Sequence, residues 1–85
     1  MSAKSYVSMS FHPREGVSPR TRLSPYAGSI GIPVIELSGQ YDSEKFDVAL
    51  GHEAEELDDS VRYLRELAEQ ATRLADEIEQ RRSES

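Results

Sequence analysis

The sequence predicts an α+β fold: a small, mainly antiparallel three-stranded sheet packed on one long C-terminal amphipathic helix. Three observations lead there. Alternating apolar residues recur in short runs through the first fifty positions, which is the period of half-buried strands. Turn-forming Gly, Pro, Asp and Ser separate those runs. From about residue 52 to 82 neither glycine nor proline occurs and good helix formers dominate. Eighty-five residues predict a single small domain over 1–85, with 1–4 and 83–85 as disordered tails.

The first strand is expected over about 5–11, where Val7, Met9 and Phe11 alternate with Ser8 and Ser10 before Pro13 ends the run. Residues 13–29 carry Pro13, Gly16, Pro19, Pro25 and Gly28 among serines and arginines, the composition of a long loop or arm. A second strand is expected over 30–38. Within it Pro33 cannot donate to a ladder, so it belongs at an edge, at the strand's start or at a bulge. Gly39, Asp42 and Ser43 supply a turn, and a third strand over 46–50 pairs with the second as a hairpin.

The helix over 52–82 begins among Glu53, Glu55, Glu56, Asp58 and Asp59 and ends at Arg81 and Arg82, which complements the helix dipole at both ends. Acid–arginine pairs four residues apart run along one face, from Asp58–Arg62 to Glu77–Arg81. The opposite face is an apolar stripe of Leu57, Val61, Leu64, Leu67, Ala68, Ala71, Leu74, Ala75 and Ile78. Its spacing fits a heptad, with Leu67 and Leu74 widening it. At roughly 45 Å the helix outruns strands of five residues. The overhang calls for a second helix of the same chain type, for packing within the molecule, or for a different partner.

Composition narrows the function. With no cysteine, disulfides and thiolate metal sites are excluded. His12 and His52 are too far apart in sequence to suggest a shared metal, and each reads as a surface or capping residue. No glycine-rich phosphate loop or nucleophile elbow occurs. The expectation is therefore a non-enzymatic protein with no catalytic residues, no cofactor and no metal. A small cysteine-free domain has a thin core and often needs a staple, so self-association, most simply as a homodimer, is the leading structural expectation. No run approaches a membrane span and no signal peptide is evident, which predicts a cytoplasmic protein without membrane contact.

Charge is divided unevenly within a net −6. Residues 1–24 hold Lys4, Arg14, Arg20 and Arg22 against Glu15, whereas residues 25–85 hold six basic and fifteen acidic side chains. An acidic body disfavours nucleic acid. Arg14, Arg20, Arg22 and Tyr26 form the basic, aromatic-bearing part of the expected arm, and arginine and tyrosine are enriched at binding hot spots. That arm is the candidate surface for an unidentified protein partner. The alternative is a dimeric nucleic-acid-binding regulator that uses the basic 13–26 segment. Arginine outnumbers lysine eight to two. With the strand-then-acidic-helix order, this resembles in texture the short proteins of high-GC bacteria and their phages. The resemblance carries no functional residues. For a phage or mobile-element protein it implies inhibition of a host macromolecule.

Overall fold

A computed structural model describes residues 8–84 of the chain. The backbone divides into two units, Met1–Leu50 and Gly51–Ser85, each taken here by itself. The element types agree with the α+β expectation: a three-stranded antiparallel sheet and one long C-terminal helix. The position of the first strand does not agree.

In the first unit, β1 is Arg20–Ser24, β2 is Ile32–Ser38 and β3 is Lys45–Ala49. They pair in sequence order, with Arg22 opposite Val34 and Ile35 opposite Val48. The second and third strands lie close to the expected spans of 30–38 and 46–50. Pro33 is the second residue of the central strand. Its carbonyl accepts from the Leu50 backbone N–H at 2.9 Å, so the ladder continues around the missing donor.

The strand expected over 5–11 is absent across its described part, residues 8–11; residues 5–7 fall outside the described chain. Alternation alone makes no ladder, because strand hydrogen bonds need a partner edge. Pro13 removes a donor immediately downstream. His12 instead ties the segment to the β2–β3 turn: its carbonyl accepts from Gln40 N–H at 2.8 Å.

The true first strand lies inside the segment expected to be a long loop. Arg20-Thr21-Arg22-Leu23-Ser24 alternates with period two, but one phase is arginine and serine, and Pro19 and Pro25 bracket it. The connection to β2 turns at Tyr26–Ser29, where Ser29 N–H donates to the Tyr26 carbonyl at 3.2 Å. Gly31, at φ 122°, then brings the chain back against Ser24, where a Cβ would sit 3.0 Å from the Ser24 carbonyl oxygen.

The sheet has two unlike faces. Leu23, Pro33, Ile35, Leu37, Phe46 and Val48 share one, and Arg20, Arg22, Glu36 and Asp47 share the other with Val34. Val34, at 7% exposure, is the one buried hydrophobic residue among the described residues. Leu23 remains 56% exposed and Phe46 38%, so the apolar face of the sheet is itself only partly covered.

The second unit opens with a 3-10 turn, Ala54–Glu56, and continues as α1, Leu57–Glu84. The Glu56 carboxylate accepts from Glu53 N–H at 3.1 Å, satisfying one of the donors a helix start leaves open. Ser60 is buried, and its hydroxyl donates to the Gly51 carbonyl at 2.8 Å. The helix runs through Ser83 and Glu84, two residues expected to belong to a disordered tail. Ion pairs stitch its polar face: Arg62–Glu66 at 3.8 Å, Glu69–Arg73 at 3.8 Å and Glu77–Arg81 at 3.0 Å. Arg62 also bonds Asp59 at 2.8 Å, three residues back, rather than the Asp58 expected at four.

Candidate interaction surface

Twenty-eight residues of α-helix extend about 42 Å at 1.5 Å per residue. The apolar stripe read from the sequence lies along it as a continuous band, but the band is not used evenly. Leu57 and Leu64 are half-buried, whereas Val61, Leu67, Ala68, Ala71, Leu74, Ala75 and Ile78 are all exposed. The large members stand far out of any core: Val61 at 50%, Leu74 at 60% and Ile78 at 52%. From Leu67 to Glu84 every residue of the helix is exposed, on the apolar and the charged face alike.

Such a helix is poorly explained by its own chemistry. Helices gain most of their stability from packing an amphipathic face, and the pairs on its polar side each contribute only about 0.2–0.5 kcal/mol. The band is contiguous and exposed, and the helix face opposite it is charged.

The basic segment is organised differently from the expected arm. Arg14 lies in a turn closed by Val17 N–H donating to its carbonyl at 3.1 Å. Arg20 and Arg22 project from β1, and Tyr26 occupies the β1–β2 connection. The Arg22 guanidinium donates to the Glu36 carboxylate at 2.9 Å and lies 3.7 Å from Asp47. Arg22 therefore belongs to a cross-strand charge ladder, Arg20 stands opposite Glu36 in the register, and the middle of the supposed arm is hydrogen-bonded into the sheet. Arg20, Glu36, Lys45 and Asp47 line a shallow cavity of about 430 Å³, whose mixed charges favour neither an anion nor a cation.

One constellation escaped the sequence reading. Glu44, in the β2–β3 turn, is buried, and its carboxylate gathers three donors. They are the His12 backbone N–H at 3.2 Å, the Tyr41 backbone N–H at 3.5 Å and the His12 ring through Nδ1. The Tyr41 ring meets the His12 ring edge-on with centroids 5.6 Å apart. Burial pushes the Glu44 carboxyl upward, but the hydrogen bonds from His12 and Tyr41 outweigh it and hold the group below the ordinary carboxylate range. The available signals were a histidine directly before Pro13 and a glycine, Gly39, five residues before the acid. Neither is distinctive in sequence. The cluster joins the residues before β1 to the β2–β3 turn, which is a structural task.

Compared with known proteins, the chain matches no family model, no curated protein and no solved structure. Among the described residues no helix is long and apolar enough to cross a membrane.

Proposed function

We propose that this chain is a small, cytoplasmic, non-enzymatic interaction protein that self-associates as a homodimer through the stripe on α1 and binds another macromolecule to modulate or inhibit it. The observation that carries the reading is the exposure of Val61, Leu67, Leu74 and Ile78 along one face of a long helix. Removing the remaining half of each side chain from water is worth about 1 kcal/mol apiece. Two copies together gain on the order of 8 kcal/mol, against an association cost of at least ~4 kcal/mol. The margin is small, so the dimer is concentration-dependent.

The acidic first turns, with Glu53, Glu55, Glu56, Asp58 and Asp59 all exposed, suit a macromolecule with a basic surface, because complementary fields raise encounter rates and select partners. The regulator reading is weaker, since Arg22 already serves Glu36 and Asp47 and the net charge is −6. Light scattering over a wide concentration range tests the assembly. A mass that rises above 9.5 kDa, and stays there when the protein is concentrated, is the expected outcome. A constant monomer mass defeats the reading. Retardation of duplex DNA at physiological salt, lost in Arg20→Ala/Arg22→Ala, would transfer the assignment to a nucleic-acid regulator.

A further inference from the structure

The open stripe distributes its large and small residues unevenly, and that distribution selects an orientation. We propose that its occupant is a second copy of this chain running antiparallel, with Leu67 of one copy facing Ile78 of the other and Ala71 facing Leu74. The proposal rests on the self-association reading above and adds the direction and register of the pair.

Three observations carry it. The first is layer filling. From Leu64 the steps alternate three and four through Leu67, Ala71, Leu74 and Ile78 to Arg81, a second seam of paired-helix spacing in which Leu67 and Leu74 are central rather than flanking. In a parallel, in-register pair Ala71 meets Ala71, leaving a void between layers of leucine. In the antiparallel register Ala71, the one alanine of this seam, meets Leu74, so every layer from 67 to 78 holds at least one large side chain. On the flank Ala68 then lies beside Ala75, which lets the two backbones approach closely. Arg81 falls opposite Leu64, where its aliphatic stem covers the leucine while the guanidinium stays in water.

The second observation is charge. Parallel pairing brings two identical clusters of Glu53, Glu55, Glu56, Asp58 and Asp59 side by side. Antiparallel pairing sends them to opposite ends, beyond the ~8 Å over which such charges interact at physiological salt. It also moves Arg81 and Arg82 of each copy toward the acidic turns of the other. The third is burial. Ser60 is buried and Leu57 and Leu64 are half-buried around an exposed Val61, whereas everything from Leu67 onward is open without interruption. A pair centred between Thr72 and Arg73 uses the open part of the stripe.

The absence of cysteine makes single-site nitroxide labelling clean. Three outward-facing positions suffice: Asp59→Cys, Arg73→Cys and Gln80→Cys. In the proposed register two labels at 73 lie level, while two at 59 are offset along the axis by ~40 Å at 1.5 Å per residue. A mixture of 59-labelled and 80-labelled chains gives a cross-distance with an axial offset of only ~9 Å. Long separation at 59, short separation at 73 and a short mixed distance are the expected result. Equally short separations at 59 and 73 would show a parallel dimer, overturning the orientation while leaving self-association intact. No dipolar signal at any concentration would overturn both.

Discussion

The two units of this chain reach order by opposite means. The sheet unit relies on bonds between elements: consecutive strands share ladders, and one carboxylate ties His12 to Tyr41. The helix unit relies on local ones, from the α-helical ladder to ion pairs three or four residues apart. In the first, Arg22 pairs with Glu36 and Asp47, and Glu44 with His12. In the second, the apolar side chains from Leu67 onward are exposed. Surface already engaged with itself is scaffold, and surface with unmet burial is where binding energy can be gained. By that measure the helix is the stronger candidate for the surface proposed above, although Leu23 and Phe46 leave open apolar surface on the sheet as well.

The comparison is most severely tested by Leu74→Glu. A carboxylate at the centre of the paired stripe should weaken association by at least ~100-fold, near 3 kcal/mol, while the amide spectrum of residues 20–49 stays unchanged. Loss of the sheet signals in the same variant would mean that the units do not divide the work as described.

Acid probes the other side. Glu44 is held below its ordinary range in the folded unit. Its contribution is therefore fully present above the unfolded-state pKa and disappears as pH falls through the lowered folded value. Thermal melts followed at the His12 and Tyr41 amides should show this acid-side loss, and Glu44→Gln should flatten it. An unchanged pH profile in that variant would assign the acid sensitivity to other carboxylates.

Smaller effects sharpen the boundary. Ser60→Ala removes the hydroxyl that serves the Gly51 carbonyl and should cost about 1 kcal/mol. Faster hydrogen exchange at residues 57–62 with an unaltered dimer mass is the expected reading. Arg22→Ala breaks the Glu36 pair on an exposed strand and should cost less than ~1 kcal/mol. Concentrated salt should reproduce most of that loss in the parent protein, and a much larger cost would mean that the arginine stem is needed to cover Val34.

Legibility in the sequence followed the range of the interactions. β2, β3 and α1 declare themselves because their patterns are long or strongly apolar, and the stripe on α1 could be read residue by residue from its spacing. β1 was hidden because Arg20 and Arg22 occupy one phase of its alternation and prolines flank it, so it looked like loop. Its partners, Glu36 and Asp47, lie on later strands. The run ending at Phe11 looked like a strand because alternation is local, whereas pairing is not. Glu44 was invisible for the same reason: an acid in a turn says nothing about a histidine thirty-two positions earlier.

The contact between Glu44 and Gly39 also bears on how this sequence can drift. A Cβ at position 39 would collide with the Glu44 carboxylate, so any side chain there forces the acid out of the place where it meets His12 and Tyr41. Position 39 can accept a side chain only after the acid at position 44 has moved or been replaced and the Cβ of residue 44, which would lie 3.0 Å away, has given way, while position 44 can change first with position 39 still bare. In a library randomised at both sites, double variants should survive where the single change at 39 does not, giving the pair a fixed order of mutation and a dependence that runs one way.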